Sequence, residues 1–399
     1  MKKRLLALAL AGGLLATMLV GCGSSPEETT GGSTPDSSTG TEDSTTEDSD
    51  STTGAALKIA IVSSPSGVDD GSFNEDNYNG VLAFIANNPD STVTAIREET
   101  GASDASVQAV ADVVAEYDVL VCCGFQFAGI GALAEANPET EFILVDTYPV
   151  GADGAEVELS NIYAMTFAEE ESAFFTGMAA ALESTTKKVA VVNGIAFPSN
   201  VNYQYGFESG VNYANAHYDT GVEIVELPSY SGTDVTGANV AGNYVGTFSD
   251  EATGKVVGQS LIDQGCDVIL VAAGGSGNGV FTAIKESSGV MAVGCDVDQY
   301  DDGVNGSDNI VLTSALKIMH SNVEKQLEAV AAGNFSGGNH NLRADTDSTG
   351  YVSETGRHQI SDATLAILEE TYPLMQDGTI VPAANFNGHT SDNFPGLAG

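Results

Sequence analysis

From Leu57 onward, short apolar runs alternate with stretches whose apolar residues recur at helical spacing. Leu57-Lys58-Ile59-Ala60-Ile61-Val62 ends in Ser63-Ser64-Pro65 and reads as a buried strand. Residues Asn77 to Asn87 carry Tyr78, Val81, Leu82 and Ile85 on one face and predict a helix closed by Asn88-Pro89. The pattern then predicts a strand over 91–96, a helix over 106–115 with Ser103 as N-cap, a strand over 119–123, a helix over 130–136 and a strand over 141–145. A second series follows, with helices over 169–182, 202–217, 255–264, 280–286 and 320–332. Strands are predicted over 188–192, 222–227, 267–272, 290–293 and 310–313. Strict alternation of this kind predicts parallel sheets covered by helices on both faces. The strands exceed what one sheet accommodates, and they fall into two similar runs. The expected fold is therefore α/β, two doubly wound lobes joined by a hinge, with a cleft beyond the carboxyl ends of the strands.

The segment before Leu57 has a different character. Met1-Lys2-Lys3-Arg4 precedes an apolar run from Leu5 to Val20, too short for a bilayer span of about 20 residues but suited to a secretory signal. Leu19-Val20-Gly21-Cys22 resembles a bacterial lipoprotein box, which implies cleavage before Cys22 and lipidation of its thiol. Residues 23–54 hold eight acidic side chains, no basic ones and no large apolar ones, a composition that cannot offset chain entropy by burial. The expected organisation is a signal over 1–21, an acidic linker over 22–56, a first lobe over 57–164 plus 308–333, and a second lobe over 165–307 plus 334–399.

Charge narrows the function. The chain has a formal net charge of -42 and only 13 Lys and Arg, which argues against nucleic acid and against an anion held in a basic cleft. Cys122, Cys123, Cys266 and Cys295 have no zinc-site spacing and read as small core residues, with a Cys266–Cys295 bridge as the alternative. No metal or cofactor is expected. Neither HExxH nor GxSxG occurs, and no histidine neighbours a nucleophile motif, so no catalysis is expected.

Polar segments follow several predicted strands. In Asp69-Asp70-Gly71-Ser72-Phe73-Asn74, Asp70 and Asn74 can bond a polar ligand, and Phe73 or Tyr78 can stack on it; turn and cap chemistry is the alternative. Ala273-Gly274-Gly275-Ser276-Gly277 allows close backbone approach but lacks a dinucleotide or Walker pattern. Asp296 follows a strand, where a carboxylate can accept from vicinal hydroxyls. Lys317, at the next strand end, is among the few basic residues.

Taken in order, these segments resemble the basic membrane protein family of ABC-transporter substrate-binding lipoproteins, purine nucleoside receptor type. The resemblance rests on Asp69 to Asn74, Asn161 to Phe167 with Glu169-Glu170-Glu171, Pro198 through Gly206-Phe207-Glu208-Ser209-Gly210, Asp267 to Gly277, Asp296-Val297-Asp298-Gln299 and Ser314-Ala315-Leu316-Lys317. It implies a type I periplasmic-binding-protein fold. It implies a nucleoside base between aromatics, Tyr203 from the second lobe and Phe73 or Tyr78 from the first. It implies that Asp70 and Asn74 bond base or sugar, and that Gly275, Asp296 and Lys317 hold the ribose side. The family's acidic residue after Gly124-Phe125 is replaced here by Phe127-Ala128-Gly129-Ile130, and Ser231 to Thr247 is longer than the family's norm. The implied function is capture of a small polar ligand, a purine nucleoside, at the outer face of the membrane for delivery to an ABC permease. A sensor of the same fold is the alternative.

Overall fold

The computed structural model describes residues 54–398. The signal, Cys22 and the linker up to residue 53 lie outside the described residues. Two six-stranded sheets form the framework. The first contains β1 (Lys58–Ser63), β2 (Thr92–Arg97), β3 (Val119–Cys123), β4 (Glu141–Val145), β5 (Ile162–Phe167) and β11 (Gly338–Leu342), in the order β11-β5-β4-β3-β1-β2, all parallel. The second contains β6 (Lys188–Asn193), β7 (Glu223–Ile224), β8 (Val268–Ala272), β9 (Met291–Asp296), β10 (Val311–Lys317) and β12 (Thr349–Tyr351). Its order is β12-β10-β9-β8-β6-β7, parallel except for β12. The central strands are buried along almost their whole length, which is why they read as continuous apolar runs rather than alternating ones.

Helices cover both faces: α1 (Phe73–Asn87), α2 (Ser103–Ala111), α3 (Gly131–Ala136), α4 (Glu169–Glu183), α5 (Pro198–Tyr218), α6 (Glu251–Asp263), α7 (Gly275–Lys285), α8 (Met319–Ala331) and α9 (Asp362–Gln376). In the first lobe, Ile59, Val81, Phe84, Val121 and Leu327 pack on one face of the sheet, and Val62, Leu120, Phe127 and Leu144 on the other. In the second lobe, α4 and α5 lie against each other at short range. A Cβ at Gly210 would fall 2.0 Å from the Phe174 carbonyl oxygen, so glycine there sets the approach.

The expected lobe division is corrected by the sheets. The sequence pattern expects residues 308–333 in the first lobe, but β10 belongs to the second sheet and only α8, packed beside Asn77 and Asp76 of α1, lies with the first. It expects residues 334–399 in the second, yet β11 completes the first sheet. Its sequence, Gly338-Asn339-His340-Asn341-Leu342, is a polar edge strand with no hydrophobic period to announce it. β5, β12 and α9 were likewise unpredicted. Ser103 is the first residue of α2 rather than its cap, and the strand expected over 222–227 is reduced to Glu223–Ile224. β9 and β10 run past their expected ends, to Asp296 and Lys317. All four described cysteines are free and buried, so the Cys266–Cys295 alternative is not realised.

The candidate ligand cleft

The carboxyl ends of β1, β3 and β4 in the first lobe face those of β6, β8, β9 and β10 in the second. Between them lies a cleft lined by residues of both lobes. Asp70, Phe73, Asn74, Tyr203, Asp296 and Lys317 all line it. Tyr78 does not: one and a half turns beyond Phe73 on α1, it packs against the first-lobe core. Gly275 also stands outside the lining, which its neighbour Gly274 joins.

The centre of the cleft is Lys317, whose side chain is 1% exposed. Its ammonium lies 2.7 Å from Asp146 Oδ2, 3.2 Å from Glu169 Oε1 and 3.9 Å from Asp296 Oδ1. The Phe73, Phe167 and Tyr203 rings also surround it, with centroids at 5.0, 5.6 and 5.9 Å. Burial would lower the lysine pKa, but Asp146, Glu169 and Asp296 more than offset it and hold it above its ordinary value. One ammonium cannot neutralise three buried carboxylates. Burial accordingly raises Asp146, and Glu169 is pushed up to about 7 against the pull of Lys317.

Asp146 and Asp296 occupy equivalent places on opposite lobes. Each sits at the end of a sheet strand with φ in the left-handed region, 68° and 67°. A non-glycine residue pays for that backbone, and such positions gather at functional sites. Asp296 accepts from the Tyr203 hydroxyl at 3.0 Å and from the Ser72 hydroxyl of the other lobe at 2.9 Å. The second oxygen of Asp146 is buried without a hydrogen bond; the Ser199 hydroxyl is near enough to lower its pKa but outside hydrogen-bond geometry. The cleft therefore has a carboxylate in the region where the turn after Phe125 lacks one.

Asp70 and Asn74 are engaged with the protein itself. Asp70 accepts from the backbone N–H groups of Ser72, Asn74 and Glu75, which starts α1, and from Asn74 Nδ2 at 2.6 Å. Asn74 also donates to the Ser64 hydroxyl and ties α1 to the end of β1. Cap chemistry and a place in the cleft thus coexist at Asp70.

The aromatic wall was not foreseen. Phe125 of the first lobe meets Phe197 of the second with centroids 5.2 Å apart, and Phe197 meets Phe248 at 6.1 Å. A Cβ at Gly194 would fall 2.2 Å from the Phe248 ring, so glycine at the end of β6 admits that ring. Gln126, Ser66 and Asn200 also line the cleft. Asn200 Nδ2 donates to the Ala272 carbonyl at 2.8 Å, and Ser66 Oγ crosses the cleft to the Phe248 carbonyl at 3.0 Å. Ser66, Phe125, Gln126 and Phe197 follow strand ends, which was the available signal, whereas Asn200 lies in the first turn of α5 and Phe248 just before α6; which of many such residues turn inward depends on tertiary packing. Among the described residues no set of His, Cys, Asp and Glu side chains is grouped to hold a metal. Cys123 and Cys295 reach the cleft, but burial pushes both thiols up, away from nucleophilic character.

The family described as ABC transporter substrate-binding protein PnrA-like, Bmp, matches residues 57–231 and 236–364. The chain belongs to this family. As a Bmp-family substrate-binding protein it is similar to a CD4+ T-cell-stimulating antigen of Listeria innocua, 28% identical over 95% of this chain and 98% of the relative. It is also similar to the ABC transporter nucleoside-binding protein BmpA of Lactococcus lactis, 27% identical over 71% of this chain and 77% of that one. In fold it is similar to an ABC transporter solute-binding protein of Aeropyrum pernix, with a TM-score of 0.68, 21% identity, and 83% and 94% of the two chains covered. The two-lobed type I periplasmic-binding-protein fold is thereby established. The break in the family match falls in the hairpin between Gly232 and Ala241, within the stretch that reads as long for the family. No helix of the described residues is long and apolar enough to cross a membrane.

Proposed function

We propose that this substrate-binding protein is a lipid-anchored receptor that captures a purine nucleoside in the cleft and delivers it to an ABC permease. The observation that carries the reading is one cavity in which an aromatic wall faces strand-end carboxylates from both lobes. Phe125, Phe197 and Phe248 supply stacking surface for a base, and the open oxygen of Asp146 supplies an acceptor for a base N–H. Asp296 and Lys317 offer an acceptor and a donor to ribose hydroxyls, while Asp70 and Asn74 form the first-lobe edge of the site. With three carboxylates around one ammonium, the cavity favours a neutral nucleoside over a nucleotide. The name of the Lactococcus relative supports the same ligand class. Binding is the whole of the chemistry in this reading: nothing in the cleft pairs a nucleophile with a base. Lipidation at Cys22 would keep the domain at the outer membrane face, with the acidic linker as its tether.

The test is calorimetric titration of the protein with adenosine, guanosine, inosine, cytidine and uridine. Saturable binding of the purine nucleosides, lost on Asp296→Ala in a folded protein, is expected. No heat from any nucleoside at millimolar concentration removes the assignment, and release of free base from inosine would replace it with hydrolysis.

A further inference from the structure

Three chain passages join the lobes: β5 to α4 through Ala168, β10 to α8 through Ile318, and β11 to β12 through Arg343 to Ser348. Backbone bonds lash them together. Ala168 N–H donates to the Leu342 carbonyl at 2.9 Å, and Ile318 N–H to the Ser348 carbonyl at 3.0 Å. Glu169-Glu170-Glu171 opens α4 at this crossing, where a helix N-terminus favours carboxylates. Glu169 and Glu171 are both 2% exposed, and two residues of helix turn them to roughly opposite sides.

Each reaches a different passage. Glu169 accepts from Lys317, the last residue of β10, and from Asn202 of α5 at 2.9 Å. Glu171 accepts from the Arg343 guanidinium, from the Ala344 N–H at 2.8 Å and from the Thr349 hydroxyl at 3.1 Å. Of the partners of Lys317, Asp146 belongs to the first lobe and Asp296 to the second, whereas Glu169 sits on the crossing itself.

We propose that Glu169 and Glu171 are positioning residues of the hinge, Glu171 holding the third passage in the closed arrangement and Glu169 keeping Lys317 paired when the lobes part. This rests on the ligand-cleft reading above, but its logic concerns the lobes. Parting them takes Asp146 away from Lys317 and leaves it Glu169 at 3.2 Å and the more distant Asp296 at 3.9 Å, and a buried charge that loses a close partner is costly. Glu169 moves with neither lobe tip and lowers that cost, so it favours opening. Glu171 resists opening, because displacement of the third passage breaks its hydrogen bonds to Arg343 and Ala344 together.

Spin labels placed through Leu82→Cys on α1 and Val256→Cys on α6, both exposed and remote from the cleft, report the lobe separation. Measured without nucleoside, Glu171→Gln is expected to shift the distance distribution toward longer separations, and Glu169→Gln toward shorter ones. Arg343→Lys should restore the wild-type distribution where Arg343→Gln mimics Glu171→Gln, and it carries the same test if Glu171→Gln does not fold. With inosine, Glu169→Gln is expected to slow release at least threefold. Wild-type distance distributions in both glutamate variants, with wild-type melting temperatures, would overturn the proposal. Shifted distributions without inosine binding would sustain the hinge assignment and remove the nucleoside one.

Discussion

The Tyr203 hydroxyl donates to Asp296 Oδ1 at 3.0 Å, and its ring stands 5.9 Å from the Lys317 ammonium. Tyr203 is therefore fixed at the back of the cleft, where its hydroxyl orients the carboxylate. Tyr203→Phe keeps the ring and loses a hydrogen bond to a charged group, worth about 1.5 kcal/mol. A roughly tenfold weaker inosine affinity and a lower melting temperature are expected, read by calorimetry and thermal unfolding. Unchanged values for both would mean that the hydroxyl does not position Asp296.

Stacking is assigned instead to the Phe125–Phe197–Phe248 wall. Stacking of one base on an aromatic side chain is worth about 1–3 kcal/mol, so Phe125→Ala and Phe197→Ala should each cost roughly tenfold or more in nucleoside affinity. Tyr78→Phe, away from the cleft, should leave affinity at the wild-type value. If calorimetry finds the reverse order, the aromatic wall is not the base site.

Much of this was legible before the fold. Strands such as Ile59 to Val62 and Val119 to Cys123 are buried on both faces, so their apolar runs announced them. The strand-end rule located Asp296 and Lys317, and four further named candidates line the same cavity. Asp146 ended a predicted strand yet looked like any acidic turn residue in a chain with 55 Asp and Glu; its left-handed backbone and its lysine partner exist only in the fold. Phe125, Phe197 and Phe248 come from three separated loops, and no local period links them. Tyr78 misled because helical spacing gives a face but not which end of that face meets the cleft.

Lys317→Met leaves Asp146, Glu169 and Asp296 buried around a neutral side chain. Removing one partner of a buried ion pair typically costs about 3–5 kcal/mol. Asp146 and Glu169 then have folded pKa values raised further above their unfolded ones. The folded variant binds protons that its unfolded chain does not, so stability is greatest below the unfolded carboxyl range and falls as pH rises. Urea unfolding at pH 5 and pH 8 should show a larger deficit against wild type at pH 8. Adding Glu169→Gln should recover part of it. An equal deficit at both pH values would exclude the carboxylate cluster as its cause.

Glu208 offers a second titration, at the extended hairpin rather than the hinge. Burial raises its carboxyl to about 7, opposed by the Gln204 side chain and reinforced by Glu226, with Ser391 as a further lowering contact. Gln204 also donates to the Val240 carbonyl at 2.9 Å and accepts from the Tyr244 hydroxyl at 2.7 Å, while Glu226 accepts from the Gly242 N–H at 3.0 Å. The group is thus built into the contact between α5 and the 232–244 segment that leads to Phe248. Its folded value lies above the ordinary 4.5, so its contribution is fully present below about 4.5 and is lost as pH rises through about 7. Glu208→Gln preserves the Gln204 contact and cannot ionise. Between pH 5 and pH 8 its melting temperature should fall less than that of the wild type, and a nucleoside affinity that weakens with rising pH should become flatter. Parallel melting profiles for the two proteins would show that Glu208 is not the group whose ionisation loosens the hairpin.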